Sequence, residues 1–187
     1  MKPNDDRKPP EKIRVTKLQE AQVSELRKIE ASVADMFQAI GVSQEPRSDM
    51  QIAQLTKRHD VLVAEADDHV AGYLAWADEA PGIANLVVLM VAPDFQRFGI
   101  GTRLLRELGE SASAHGIETV VAPVCAKATW SMAFLGVRGF APVNGAPPEK
   151  LTMWREEREP DVVQAGQRLW WAKTDGLGTV PGLPRPR

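Results

Sequence analysis

The stretch Leu89–Thr102 (LMVAPDFQRFGIGT) constrains the fold more than any other part of the sequence. The run Asn85–Val91 is leucine-rich and β-branched and is bounded by Pro93, which is typical of a strand buried on both faces. After a short loop, apolar residues at helical spacing from Ile100 to Leu108 predict an amphipathic helix. A buried strand that leads into such a helix indicates a βαβ unit, so the chain is expected to be a mixed α/β protein.

The start of this helix is suited to bind an anion. The first turn of a helix exposes unpaired N–H groups and about half a positive charge. Gly99 and Gly101 lack a Cβ, so a phosphate can approach the backbone, and Arg97 adds a full positive charge. A pyrophosphate group is therefore the expected ligand. The structural alternative is a pair of turn glycines before an ordinary amphipathic helix.

The rest of the sequence predicts one domain over residues 13–174. Strands are predicted over residues 13–18, 60–66, 70–76, 85–91, 119–125, 140–143 and 168–173. Helices are predicted over residues 23–40, from Ser48 onward, and over residues 100–115, 129–137 and 147–154. Residues 1–12 are rich in proline and charge and are expected to be disordered, and residues 175–187 to form a flexible tail.

Composition and motifs argue against several classes of protein. A net charge of -2 over 187 residues gives no electrostatic footprint for nucleic acid. The apolar stretch Ala84–Val91 falls far short of the roughly 20 residues of a membrane span, and no signal-peptide core precedes it. A lone cysteine, Cys125, and scattered histidines make a metal site unexpected. The sequence has neither a P-loop nor a three-glycine dinucleotide fingerprint, and a cytoplasmic protein is expected.

Two segments resemble the signatures of the GNAT superfamily of N-acetyltransferases. VAPDFQRFGIGTRLL resembles the acetyl-CoA motif, with matches at Val91, Pro93, Gln96, Gly99 and Gly101. TWSMAFLGVRGF resembles the second signature, with matches at Phe134, Gly139 and Phe140. The resemblance extends over nearly the whole chain. It implies a GNAT fold, in which a mixed, mostly antiparallel sheet of six to seven strands with a splayed central strand is flanked by helices.

The resemblance also implies a cofactor site. The backbone of Leu89, Met90 and Val91 would hydrogen-bond the pantetheine arm of acetyl-CoA like an added strand. Main-chain N–H groups would hold the pyrophosphate, from Arg97, Phe98, Gly99, Ile100, Gly101 and Thr102. An acceptor amine would enter from the opposite side, over the first two helices and the hairpin. No metal is implied, and family members often form homodimers.

The sequence departs from the family pattern where the family often has a general acid. The tyrosine that protonates the departing thiolate is replaced by Leu135, and an asparagine of the signature falls on Ala128. Tyr73 and Ser131 are the candidate replacements. The structural alternatives are a packed strand aromatic for Tyr73 and a helix-cap or surface hydroxyl for Ser131.

A general base is also required, because an aliphatic amine with a pKa near ~10.4 arrives protonated. Glu79 is the candidate, since it shares strand parity with Tyr73 and both side chains could face one side of the sheet. The other available carboxylates are Glu65, Asp67 and Asp78. For each of these residues, a solvated charge at a strand end is the structural alternative.

The sequence thus predicts an N-acetyltransferase in which an amine attacks acetyl-CoA directly. The acceptor is left open among small amines, amino acids, aminoglycoside-like compounds and protein amines. No nucleic acid or membrane partner is expected, and a homodimer is compatible with the apolar C-terminal strand. One alternative is a catalytically weak or inactive acyl-CoA-binding sensor or interaction module. A second is a phosphate-binding turn that serves another nucleotide-like cofactor.

Overall fold

A computed structural model describes residues 7–143 and 168–174. The strands are β1 (Ile13–Lys17), β2 (Asp60–Ala66), β3 (His69–Ala80), β4 (Ile83–Val91), β5 (Thr119–Cys125), β6 (Ala141–Pro142) and β7 (Arg168–Thr174). The helices are α1 (Val23–Gln38), α2 (Asp49–Arg58), α3 (Ile100–Ala114) and α4 (Thr129–Gly136), with short 3₁₀ turns at Glu20–Gln22 and Pro93–Phe95. The helix predicted over residues 147–154 lies outside the described residues.

The strands form a mixed sheet in the order β1-β2-β3-β4-β5-β7-β6, which confirms the predicted fold class. β1 pairs with β2 antiparallel, and β5 and β6 each pair with β7 antiparallel. β4 and β5 are parallel and are joined through α3, which is the predicted βαβ unit. Their register runs only from Ile83↔Thr119 to Asn85↔Val121, so β4 continues to Val91 beyond the ladder with β5.

Short-range chemistry determines where several elements begin and end. The Ser48 side chain accepts a hydrogen bond from the Gln51 N–H, and the Gln51 side chain accepts one from the Ser48 N–H, which is the predicted capping box of α2. Asp67 and Asp68 join β2 to β3 with φ angles of 48° and 65°. Aspartate tolerates this left-handed region better than most residues, so the hairpin turn forms where it was predicted.

β3 is longer than the sequence predicted. It continues past Trp76 to Ala80, so Glu79 lies within the strand. In the sequence, the two consecutive charged residues Asp78 and Glu79 are typical of the end of a strand. Asp78 is exposed, however, and Ala77 and Ala80 are half-buried, so charged residues occupy a strand that has left the fully buried part of the sheet.

The chain divides into two compact units. The first contains the described residues up to Val33, together with Glu45–Ala75 and Val88–Gly109. Its core is formed by side chains of two helices, the sheet and the start of α3: Leu26, Ile29, Val33, Ile52, Leu55, Val63, Tyr73, Leu74, Ile100, Leu104 and Leu108. The prediction of a single domain over residues 13–174 stays a prediction.

The second unit contains Ala34–Gln44, Trp76–Val87 and the described residues from Glu110 onward. Ile83 and Val121 pack together there with Ala80 and Ala172. Other buried side chains of this unit are Val42, Trp76, Leu86, Ala112, Ile117, Val124, Leu135 and Phe140. In the described ranges, no helix combines the length and apolar character that a membrane crossing requires.

Candidate functional site

The end of β4 lies very close to β3. A Cβ atom on Gly72 of β3 would lie 2.7 Å from the Met90 carbonyl oxygen and 3.2 Å from the Val91 Cα atom, so only glycine fits at this position. Just beyond the strand, the Ala92 N–H donates to the Ala71 carbonyl at 2.9 Å. The half-buried segment Leu89–Val91, for which the family resemblance implies pantetheine binding, is therefore held firmly against its neighbour.

A side-chain hydrogen bond ties the following turn to β4. Gln96 Nε2 donates to the Val91 carbonyl at 2.9 Å. The Gln96 N–H also points back to the Pro93 carbonyl at 3.3 Å and closes the 3₁₀ turn. Gln96 matches the acetyl-CoA motif, but its role is not evident from the sequence. Its amide fixes the direction in which the chain leaves the strand.

The loop before α3 has an unusual backbone. Arg97 has a φ of 71° and Gly99 a φ of 80°. The left-handed region costs a residue with a Cβ about 1–2 kcal/mol, so Arg97 is strained, whereas Gly99 adopts it freely. A Cβ on Gly99 would meet no atom of the described residues within 4 Å. The space that a side chain would occupy at Gly99 is therefore open.

This loop presents N–H groups at the start of α3. The Arg103 N–H donates to the Gly99 carbonyl at 3.0 Å, which is a hydrogen bond of the first turn of α3. The N–H groups of Ile100 and Gly101 precede this bond at the N-terminus of the helix. The Ile100 side chain is buried and anchors the helix start in the core. Arg97 and Thr102 are exposed beside it. Open space, N–H groups at a helix start and a neighbouring cation are the features that bind phosphate.

A buried polar network joins α1, β3 and the segment before α2. The Tyr73 hydroxyl donates to Glu30 Oε1, and Arg47 Nη1 donates to the same oxygen at 2.7 Å. The Arg47 backbone N–H donates to Glu30 Oε2, also at 2.7 Å. Burial, and next the charge of Glu30, raises the pKa of Tyr73 well above its usual value. The Tyr73 phenol therefore keeps its proton at neutral pH.

Glu30 and Arg47 were not identified from the sequence. A signal for Glu30 was present, because it lies four residues after Leu26 and three before Val33, on the apolar face of α1. A carboxylate in a buried stripe requires a partner. No local pattern identifies Arg47 as that partner.

The remaining catalytic candidates lie in the second unit. Ser131 is half-buried in the first turn of α4, and its N–H donates to the Ala128 carbonyl at 3.0 Å. Glu79 lies in β3. Leu135 and Ala128, which replace the usual family residues, are both buried.

The alternative carboxylates have different surroundings. Arg14 Nη2 lies 2.9 Å from Glu65 Oε2, and Gln22 Nε2 donates to Glu65 Oε1 at 2.8 Å. Asp67 accepts backbone hydrogen bonds from residues 11 and 12, and Asp78 is exposed. Glu65 and Asp67 are thus already engaged in structural hydrogen bonds.

Within residues 7–143 and 168–174, no three acidic, histidine or cysteine side chains are grouped as metal ligands.

Comparison with known proteins defines the class of this chain. The profile of the acetyltransferase (GNAT) family matches residues 26–140. The chain therefore belongs to the GNAT family of acetyltransferases. No curated protein sequence matches it significantly.

Solved structures support the fold. The ribosomal-protein-S18-alanine N-acetyltransferase of Escherichia coli is 18% identical and gives a TM-score of 0.64 over 91% of this chain and 98% of its own. PaiA N-acetyltransferase of Thermoplasma acidophilum, in complex with coenzyme A, is 18% identical with a TM-score of 0.68 over 87% and 99%. The protein yncA of Salmonella typhimurium, with its cofactor acetyl-CoA, is 18% identical with a TM-score of 0.66 over 90% and 97%.

Proposed function

We propose that this protein is an N-acetyltransferase that binds acetyl-CoA along the end of β4 and at the loop before α3. The observation that carries the proposal is the loop at residues 97–102, where a positive-φ arginine and glycine lead into the N–H groups of α3. Membership of the GNAT family supports acetyl-CoA as the donor. Two similar proteins were solved with CoA or acetyl-CoA.

In this proposal, two parts of the first unit hold the cofactor. The ladder of β4 with β5 ends at Asn85, so the backbone of Leu89–Val91 can pair with the pantetheine arm like a further strand. The pyrophosphate takes the open space at Gly99 and receives N–H groups from the helix start. Arg97 supplies a compensating positive charge.

The chemistry requires two proton transfers. A neutral amine attacks the thioester carbonyl carbon, a tetrahedral intermediate forms, and the carbon–sulfur bond then breaks to release CoA. Glu79 is our candidate to accept the proton from the amine. Tyr73 and Ser131 are candidates to supply a proton to the thiolate. Tyr73 holds its proton at neutral pH, but donation to a thiolate requires it to leave Glu30.

Binding of acyl-CoA without turnover is the second candidate function. Leu135, which stands where the family often has a tyrosine, cannot donate a proton, and Ala128 replaces the signature asparagine. Both side chains are buried and apolar. A protein with this cofactor loop and no effective acid would act as a sensor of acyl-CoA.

Thiol release from acetyl-CoA, measured against a panel of amines, tests the proposal. The panel contains small amines, amino acids, aminoglycosides and peptides with free amino groups. Release that depends on at least one amine is expected. Binding of acetyl-CoA without release to any amine would instead favour the sensor.

Substitutions assign the proton transfers once an acceptor is found. Glu79→Gln, Tyr73→Phe and Ser131→Ala are compared with the wild type, and Asp78→Asn serves as the control because Asp78 is an exposed carboxylate next to Glu79. Loss of a true general acid or base is expected to lower kcat by about 10²–10⁴-fold. A change no larger than that of Asp78→Asn would exclude Glu79 as the base.

A further inference from the structure

Residues 7–12, here called the N-terminal arm, are fixed at their C-terminal end to the turn between β2 and β3. The N–H groups of Lys12 and Glu11 donate to the Asp67 carboxylate at 2.9 Å and 3.2 Å. In return, the Asp67 N–H donates to the Lys12 carbonyl at 3.0 Å. These three bonds give residues 11 and 12 a defined position in the first unit.

At the other end of the arm, Arg7 contacts the loop that precedes α3. Arg7 Nη1 donates to the Pro93 carbonyl. Its guanidinium carbon lies 5.7 Å from the centroid of the Phe98 ring, within the range of a cation–π interaction. These two contacts lie on either side of the strained Arg97. One side chain therefore connects the start and the end of the turn across 86 residues of sequence.

The loop needs such support because Arg97 adopts a backbone conformation of higher energy than the usual helical or extended one. Arg97 has a φ of 71°, and the flexible Gly99 follows two residues later. A strained conformation persists only where the surroundings over-determine it. Gln96 fixes the loop from the strand side through the Val91 carbonyl. Arg7 fixes it from the side of the arm.

We propose that Arg7 is a positioning residue for the cofactor site, and that the N-terminal arm belongs to that site. Arg7 holds residues 93–98 in the conformation that presents the N–H groups of α3 to a pyrophosphate. A loop ordered in advance loses less conformational freedom when the ligand binds, and this increases affinity. The inference rests on the proposed function, since it concerns the same acetyl-CoA site.

Simple charge attraction is the competing explanation, because any cation near the loop draws phosphate toward it. Lys8 separates the two explanations. It is the next residue and also a cation, but its Nζ atom lies 2.7 Å from Glu11 Oε1, and its side chain is 79% exposed. Lys8→Ala therefore removes the same charge without removing a contact of Arg7 to the loop.

Hydrogen exchange of the full-length protein without ligand tests whether Arg7 orders the loop. Exchange in peptides that cover residues 93–99 is expected to be several-fold faster in Arg7→Ala than in the wild type. Lys8→Ala is expected to leave it unchanged. Equal exchange in all three proteins would overturn the inference independently of any cofactor.

Calorimetric titration of the same three proteins with CoA tests whether this order matters for binding. Loss of a cation–π contact and of a charged hydrogen bond is expected to raise the Kd of Arg7→Ala about five- to tenfold. Once an acceptor is known, the KM for acetyl-CoA should rise by the same factor while kcat stays within about twofold of the wild type.

The outcomes distinguish this inference from the proposed function. If the wild type binds CoA and Arg7→Ala binds it equally well, or is weakened no more than Lys8→Ala, the inference is wrong and the proposed function is unaffected. If the wild type does not bind CoA, the proposed function fails and the inference fails with it.

Discussion

At the scale of single residues, the Glu30 carboxylate organises the polar interior of the first unit. Only 4% of its side chain is exposed, and it accepts hydrogen bonds from the Tyr73 hydroxyl and from the backbone and side chain of Arg47. These three donors come from two separate parts of the chain, β3 and the segment before α2. Because a buried charge without compensation is costly, each donor is expected to contribute to stability.

The first prediction concerns Arg47→Ala. Removal of one partner of a buried ion pair costs about 3–5 kcal/mol, because the other charge stays buried without compensation. We expect the free energy of unfolding, measured by urea denaturation, to fall by about 3 kcal/mol.

Arg27→Ala is the matched control for this experiment. Arg27 also connects α1 to the start of α2, because its Nη1 atom lies 3.1 Å from Asp49 Oδ1, but both side chains of this ion pair are more than half exposed. An exposed pair contributes about 0–1 kcal/mol. Equal losses for the two variants would contradict the role assigned to Glu30.

The second prediction concerns the pH dependence of stability at Tyr73. Its pKa is raised in the folded protein, mainly by burial. At a pH above the unfolded pKa of about 10, the unfolded chain releases a proton that the native state keeps, so stability falls as pH rises. The contribution of Tyr73 is therefore complete below about pH 10 and declines above it.

Tyr73→Phe isolates this effect. Wild type and variant are unfolded by denaturant at several pH values between 8 and 11, so that other titrations cancel in the difference. We expect the wild-type advantage to shrink by about 1 kcal/mol per pH unit above pH 10. A difference that does not change with pH would argue against a buried, neutral phenol.

At the scale of elements, the close approach of β3 to β4 determines the geometry of the proposed pantetheine site. Gly72 makes this approach possible because its missing Cβ leaves room for the Met90 carbonyl. The two strands could not keep their spacing with any side chain at this position. The shape of the end of β4 thus depends on a glycine that lies outside both signature motifs.

The third prediction follows from this contact. In Gly72→Ala, the new methyl group would lie 2.7 Å from a backbone oxygen, so the strand must shift, and a loss of about 1–3 kcal/mol in stability is expected. Affinity for acetyl-CoA should fall as well, because Met90 moves. Denaturant unfolding and calorimetric titration measure the two effects.

Gly109→Ala is the control for the third prediction. Gly109 lies within α3, and in the part of the chain that the structure describes a Cβ there would meet no neighbouring atom within 4 Å. Alanine is favoured over glycine in a helix by about 1 kcal/mol, so this variant is expected to be more stable than the wild type. A stable Gly72→Ala protein with unaltered affinity would disprove the spacing argument.

The elements also show which features of the structure are local. The capping box at Ser48 and Gln51 and the hairpin turn at Asp67 were predictable, because residues a few positions apart determine them. Pairing between distant segments was not predictable. The position of Glu30 on the apolar face of α1 signals a buried carboxylate, but no sequence signal identifies Arg47 as its partner or Pro93 as the partner of Arg7, since both contacts depend on how elements pack.

In the candidate site, too, the features that adjacent residues determine were predictable, and those that depend on packing were not. The loop that is proposed to bind phosphate is recognisable in the sequence, because two glycines, an arginine and a helix start are adjacent. Its strained φ at Arg97 and its support by Gln96 were not, because both follow from the path of the backbone. The proton-transfer residues stay predictions. They depend on an acceptor and on packing, which no motif specifies.

At the scale of the whole molecule, the predicted cofactor contacts all lie in the first unit. This holds for residues 89–91 and for residues 97–102. Binding of acetyl-CoA should therefore stabilise the native state of the protein by mass action. At a hundredfold excess over Kd, the expected gain is about 2.7 kcal/mol, which a thermal unfolding series with increasing acetyl-CoA would detect.

The most direct test of this account is a calorimetric titration of the full-length protein with acetyl-CoA, with acetyl-pantetheine titrated alongside. Acetyl-pantetheine lacks the nucleotide part of acetyl-CoA, which includes the pyrophosphate that the loop before α3 is proposed to hold. We expect micromolar one-to-one binding of acetyl-CoA and binding of acetyl-pantetheine that is weaker by about tenfold or more. Equal affinity for the two ligands, or no binding of acetyl-CoA, would contradict the site proposed at residues 97–102.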